Sequence, residues 1–361
     1  MSALEELLNR WQEDPAFNAN VTRWERMPAQ EGAYAEFPEA IAPSLQEALR
    51  LRGIERLYSH QAAAVEAAAR GEHLVVVTPT ASGKTLCYNI PVLNSCLEDR
   101  DSRALYLFPT KALSQDQVAE LRALAGGLQL DLRTQTYDGD TAPGLRQAIR
   151  QSGHIVVTNP DMLHTGILPH HTKWVKLFQN LKYVVIDEMH QYRGVFGSHV
   201  ANVIRRLKRI CRFYGAAPRF ILSSATIANP AELAGALIEE PVTLIDDSGA
   251  PRAEKHFIFY NPPVVDRERG LRRSSLLETQ RLAKELYRCK VQTIVFTRSR
   301  LGVELLLTYL QQSRAEQPGR DSGIRGYRGG YLPQERRAIE AGLREGSVKM
   351  VVSTNALELG I

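Results

Sequence analysis

Five short apolar runs recur through the first two thirds of the chain: "LVVVT" (74–78), "ALYLFP" (104–109), "HIVVT" (154–158), "KYVVIDE" (182–188) and "RFILSS" (219–224). Unbroken runs without a polar alternate fit strands buried on both faces, as in a parallel sheet. Longer amphipathic stretches lie between them, such as "KALSQDQVAELRALA" (111–125) and "GSHVANVIRRLKRICRFYG" (197–215). In the latter Val200, Val203, Ile204, Leu207, Cys211 and Tyr214 fall on one helical stripe, with arginines opposite. Strand–helix alternation of this kind predicts an α/β fold with a doubly wound parallel sheet.

The polar segment "DDSGAPRAEKH" (246–256) interrupts the rhythm, which then restarts. "HFIFYN" (256–261), "QTIVFT" (292–297) and "VKMVVST" (348–354) read as strands, with helices over 276–288 and 301–312. Two α/β lobes are expected, over 56–248 and 249–361. Residues 1–55 are proline-punctuated, with one helical stretch near Ser44–Arg52, and read as an accessory segment.

Composition narrows the class. At 361 residues the natural prior is two domains, and 44% hydrophobic with 24% charged residues describes a globular chain. No run approaches the length of a membrane span. The start, "MSALEELLNRWQEDP", has acidic residues and no apolar core of signal-peptide type. Cys87, Cys96, Cys211 and Cys289 are scattered without a CxxC pair, which suits a reduced interior, so the cytoplasm is the expected location. A net charge of +5 and a pI near 9.0 are compatible with a polyanionic partner and common among other proteins.

The chemistry concentrates in "VVVTPTASGKTLCYNIP" (75–91). Its second half matches the phosphate loop G-x-x-x-x-G-K-[ST], but Thr78 stands where the first glycine belongs. Backbone N–H groups of Thr80, Ala81, Ser82 and Gly83 would converge on phosphates at a helix start. Lys84 would reach the β/γ-phosphates and Thr85 would offer a hydroxyl to Mg²⁺. Such a site needs a carboxylate for the metal and a base for the attacking water. "YVVIDEMH" (183–190) supplies Asp187 for the metal and Glu188 for the water. ATP and Mg²⁺ are therefore the expected cofactors.

With these motifs in order, the sequence resembles superfamily 2 helicases of the DExH type, over nearly all of the chain after Leu57. In that family the first loop glycine is often replaced, so "TPTASGKT" is an ordinary form. The resemblance implies RecA-like lobes. It also implies that Gln61 in "YSHQ" reads adenine, with Tyr58 stacking nearby. "FPTKAL" (108–113) and "TNPDML" (158–163) resemble loops that grip a nucleic-acid backbone, placing Pro109, Thr110, Lys111, Thr158 and Asn159 there. "SSATI" (223–227) resembles the element that couples the nucleotide site to strand separation, through Ser224 and Thr226, with His190 as the link. In the second lobe "IVFTRSR" (294–300) and "STNALELGI" (353–361) imply contacts from Thr297, Arg298 and Thr354.

A finer resemblance, carried by "LYSHQAAAVEAA", "DEMHQYRGVFGSHVANVIRRLKRIC" and "GYRGGYLPQERRAIEAGLREG", is to the MrfA (YprA)-like bacterial DNA repair helicases. It implies an ATP-dependent 3′-to-5′ helicase acting in DNA repair, with single-stranded or partly duplex DNA as its partner. The family's last motif, with its arginine finger, would follow Ile361, as would a cysteine-rich zinc region. The expectation is therefore a C-terminally truncated chain with an incomplete second lobe that binds ATP and hydrolyses it poorly. An RNA-directed helicase and a non-hydrolysing, ATP-switched nucleic-acid clamp stay open as alternatives.

Three further stretches have plainer readings. "RRLKRICR" (205–212) reads as the solvated face of its helix, with DNA contact as the alternative. "HTGILPHH" (164–171) carries three histidines, but Pro169 breaks any helical ligand spacing. "DRERGLRRSS" (266–275) is a candidate phosphate-contacting or partner-binding loop. Trp11, Trp24 and Trp174 are isolated and read as packing residues.

Overall fold

The computed structural model describes residues 2–109, 111–128, 131–312 and 323–357, with the side chains of 111–116 and 333 left outside that description. The chain forms two compact units. The first lobe is Ala29–Ala253, and the second joins Met1–Pro28 to Glu254–Ile361. The stretch expected as one accessory segment, 1–55, is thus divided between the lobes. The reason is packing. Strand β1 (Val21–Met27) pairs with a strand far along the chain, whereas β2 (Tyr34–Ala35) pairs with β3 (Leu57–Tyr58).

The first lobe is built on seven parallel strands: β4 (Leu74–Val77), β5 (Arg103–Leu107), β6 (Thr134–Thr136), β7 (Ile155–Thr158), β8 (Leu181–Ile186), β9 (Arg219–Ser224) and β10 (Thr243–Ile245). Their order is β10-β4-β9-β8-β5-β7-β6. Side chains alternate across the sheet, and each face has its own core. Val76, Tyr106, Val157, Val185 and Ile221 pack beneath helices Ser59–Ala69, Lys84–Glu98 and Lys111–Gly126. Val75, Leu107, Val156, Ile186 and Leu222 pack on the other side, against helices Gly194–Phe213 and Pro230–Ile238. The predicted stripe Val200, Val203, Ile204, Leu207 and Cys211 is buried there. Because β4, β9 and β8 are neighbours, the loops at their carboxyl ends share one edge, the usual ligand crevice of such sheets.

The second lobe contains β11 (Lys255–Tyr260), β12 (Val264–Asp266), β13 (Leu271–Arg272), β14 (Thr293–Phe296), β15 (Ile324–Tyr327) and β16 (Met350–Ser353). Strands β14, β16 and β15 form a parallel sheet whose core is Val295, Val303, Leu306, Leu310, Ile324, Met350 and Val352. Strand β11 departs from the expected pattern. It leaves that sheet and pairs antiparallel with β1, aligning Trp24 with Ile258 and Glu25 with Phe257. Among the described residues, no helix is long and apolar enough to cross a membrane.

Candidate active site

Strand β4 leads into the loop Thr78–Gly83, which opens onto the helix Lys84–Glu98. Ala81 (φ +63°) and Gly83 (φ +76°) both adopt the left-handed region. Such residues curl neighbouring N–H groups toward one point, and the helix N-terminus adds its partial positive charge. Gly83 also has no room for a side chain, since a Cβ there would lie 2.6 Å from Gln61 Nε2.

The buried Gln61 side chain is held at both ends. Its Nε2 donates to Gly83 O at 2.9 Å, and its Oε1 accepts from Tyr58 N at 3.0 Å. Thr78 is fully buried, and its hydroxyl lies 2.6 Å from Ser82 Oγ. The residue that replaces the first loop glycine therefore braces the loop from inside. Lys84 Nζ donates to Thr78 O at 2.6 Å and Pro79 O at 3.1 Å. Burial lowers its pKa, opposed by the nearby Glu188 and Asp187.

His60, which the sequence gave no reason to single out, pins the loop to a distant segment. Gly249 N donates to its Nδ1 at 3.2 Å, so its Nε2–H donates to Ser82 O at 3.0 Å. Burial depresses its pKa, and the ring is neutral.

Asp187 and Glu188 follow directly on strand β8. Asp187 is 7% exposed and accepts from Ser223 Oγ, from Glu188 N at 2.9 Å and from Tyr88 OH at 3.4 Å. Burial raises its pKa despite those bonds. Glu188 is left-handed, with φ +51°. Burial first, then the neighbouring Asp187, pushes its pKa up to about 7, while Lys84 pulls it down. His190 Nδ1 lies 3.3 Å from Glu188 Oε2, 3.3 Å from Ala225 N and 3.5 Å from Ser224 Oγ. One imidazole thus touches both the acidic strand end and the loop after β9.

A cation over a concave amide loop, a hydroxyl one residue on, and paired carboxylates facing them are a donor set for a metal-bound polyphosphate. Comparison with known proteins identifies the domain. The DEAD/DEAH box helicase profile matches residues 58–233. The ATP-dependent helicase YprA of Bacillus subtilis is 59% identical over 95% of this chain and 46% of its own length. The ATP-dependent helicase hrq1 of Schizosaccharomyces pombe is 38% identical over 99% of this chain and 35% of its own. A crystal structure of the DUF1998 helicase MrfA bound to DNA and AMPPNP superposes with a TM-score of 0.94 at 57% identity, covering 100% of this chain and 50% of that one. Residues 58–233 form a DEAD/DEAH box helicase domain.

The lobes have the RecA-like fold of such helicases, and the chain spans about half the length or less of the two curated relatives compared. Tyr58, Gln61, Ser82, Gly83 and Lys84 come together in one loop–helix junction, and Asp187, Glu188, His190 and Ser224 in a second cluster. Thr80 and Thr226 are exposed. Thr85 Oγ1 lies 3.5 Å from Gln117 Nε2. Ser223, His60 and Tyr88 stand at the site although motif reading passed over them, and Thr78, marked there only as a departure from the motif, joins them.

The other strand-end loops are less uniform. Thr158 is buried and its hydroxyl donates to Tyr137 O at 2.6 Å, so its side chain shapes the loop from within. Asn159 Oδ1 caps the following turn through Met162 N at 2.8 Å. Pro109 is half-buried, Thr110 lies outside the described residues, and so does the Lys111 side chain. In the second lobe Thr297 Oγ1 donates to Ser299 O at 3.0 Å, Arg298 is exposed, and Thr354 N donates to Tyr327 O at 3.3 Å.

Gly83→Ala tests the loop. The added methyl strains a left-handed residue and displaces Gln61, a cost of about 1–3 kcal/mol. ATP affinity measured by calorimetry should fall about tenfold or more at that cost. Undiminished affinity would mean that the junction of Gly83 and Gln61 does not shape the nucleotide site.

Proposed function

We propose that this chain is the motor part of an ATP-dependent DNA helicase that tracks 3′-to-5′ in DNA repair in the cytoplasm. The observation that supports it best is the His190 bridge between Glu188 and the Ser224–Ala225 turn. A motor needs its hydrolytic base linked to an element that senses the nucleotide, and this is such a link.

Lys84 and the loop amides bind the phosphates, exchanging two neutral carbonyl partners for charged oxygens. Gln61, fixed by Tyr58 and Gly83, sits beside the loop to recognise adenine. Thr85 and Asp187 offer the hard oxygen donors that Mg²⁺ prefers, and they would hold it. When bound, that ion neutralises charge on the phosphate oxygens. Glu188 orients the attacking water and accepts its proton. His190 relays the state of Glu188 to Ser224 and onward to Thr226. Pro109, Thr110, Lys111, Asn159, Thr297, Arg298 and Thr354 contact the nucleic-acid backbone, with Thr158 holding its loop in shape. Phosphate contacts position a strand without reading bases, as a motor requires.

DNA is favoured over RNA because the similar MrfA structure is of a DNA complex. The test is ATP turnover with single-stranded DNA, single-stranded RNA and neither. Stimulation by DNA above RNA is expected, and stimulation by RNA alone would replace the reading with an RNA-directed helicase. Tight strand binding without turnover would instead mark an ATP-switched clamp.

A further inference from the structure

Two stretches left unused by the motor meet on the first lobe. The turns over Leu163–Lys173 carry the three histidines, and the helix Gly194–Phe213 carries the basic run. Arg206 Nη1 bonds His164 Nδ1 at 2.9 Å, and His171 Nδ1 lies 2.9 Å from Tyr214 OH. Between these elements is a cavity of about 320 Å³ lined by His171, Arg206, Arg209, Ile210 and Phe213.

Charge is distributed unevenly round that helix. Arg205 pairs with Glu239 and Lys208 with Glu240. Arg206 and Arg209, three residues apart on one face, have no carboxylate within ion-pair distance among the described residues. Phe213 is 76% exposed, yet its ring is braced. It meets Tyr214 edge-on at 5.0 Å and His171 at 6.3 Å, and Tyr214 itself stacks on the buried Phe178 at 5.9 Å. A fixed aromatic face beside two guanidinium groups without a carboxylate partner is the arrangement that holds a base and its phosphate. The helix starts four residues after His190, and its rise places Arg206 to Phe213 about 18–28 Å from that start.

We propose that this cavity is a second single-stranded nucleic-acid site, in which Arg206 and Arg209 hold a phosphodiester and a base stacks on Phe213. It rests on the reading of the chain as a nucleic-acid motor, and it extends that reading to a strand leaving the main track. An acidic peptide would also meet the arginines. It would find one aliphatic wall, Ile210, and a flat ring, which suit a planar base better than a buried aliphatic anchor.

The test is fluorescence anisotropy of the whole chain with oligo-dT of about 10 and about 40 nucleotides over a range of salt. Arg209→Ala and Phe213→Ala should each weaken the long strand roughly tenfold and leave the short one unchanged. The Arg209 variant should also lower the salt slope by about 1. ATP binding and thermal melting should be unaltered in both, since the positions are exposed and remote. Unchanged long-strand affinity in both variants would overturn this site while leaving the motor intact. So would competition by a poly-glutamate peptide for a cavity whose loss DNA does not feel. No binding of either strand by the unmodified chain would remove the motor reading and this site together.

Discussion

Glu188→Gln is expected to bind ATP as the unmodified chain does and to lose turnover by about 10²–10⁴-fold, the usual worth of a positioned base. The amide keeps the shape of the side chain, and Lys84 and the loop proposed to bind the phosphates are untouched. What disappears is a carboxylate whose pKa stands near 7, pushed there by burial and by Asp187 beside it. A base must be deprotonated to act, so kcat/KM of the unmodified chain should rise about tenfold per pH unit below 7 and level off above it. A flat profile between pH 5.5 and 8.5 would remove Glu188 from that role.

The same shift has a sign for stability. The folded pKa of about 7 exceeds the ordinary value of 4.5, so the folded form holds this proton more tightly. Its contribution is complete below pH 4.5 and is lost as pH rises through 7. The Gln variant never ionises, and the first lobe should melt higher than the unmodified lobe above pH 7, by about 2–4 °C for each kcal/mol relieved.

Much of this lobe was legible because burial on both faces leaves unbroken apolar runs, as in "LVVV" and "YVVI". The edge strands β6 and β10 were not, being three residues each and partly polar, "TQT" and "TLI". Lys84, Asp187 and Glu188 could be named as candidates from the motifs because phosphate chemistry asks for those residue types, and the structure brings their charges within reach of one another. His60 could not, although it stands inside "YSHQ", because its partner Gly249 is 189 residues away. Ser223 was hidden by its neighbour. Both serines of "SSATI" look alike in sequence, and only the alternation of β9 sends one to Asp187 and the other to His190. Thr78 illustrates the converse. The motif marked it as a departure, and only the geometry shows the hydroxyl bond that makes it part of the loop.

The N-terminal stretch was least legible, and it carries the second large prediction. Phe17→Ala should destabilise the second lobe by about 3–5 kcal/mol, the cost of emptying an aromatic site in a core. Phe17 is 3% exposed and lies between Trp11 at 4.9 Å and Tyr260 at 4.8 Å, both stacked. Trp11 is itself anchored, its Nε1 donating to Glu285 Oε2 at 2.7 Å on the helix Ser275–Arg288. Leu7, Trp11 and Phe17 thus form one core with Ile258, Leu282 and Leu286. Nothing local in "PAFN" reports this, since Tyr260, Ile258, Leu282 and Leu286, which close the core, lie more than two hundred residues on.

Whole domains are stable by only about 5–15 kcal/mol, so the loss is a large part of the total. Trp11 and Trp24 report on this lobe and Trp174 on the other. Tryptophan fluorescence should show the second lobe melting early in the variant, while ATP binding by the first lobe persists. If the variant instead melts with the unmodified chain, residues 1–28 are an appendage. If it melts early, the residues before Pro28 are a structural part of a lobe whose remaining sequence begins at Glu254, and a fragment starting at Ala29 would carry that lobe with its aromatic core open.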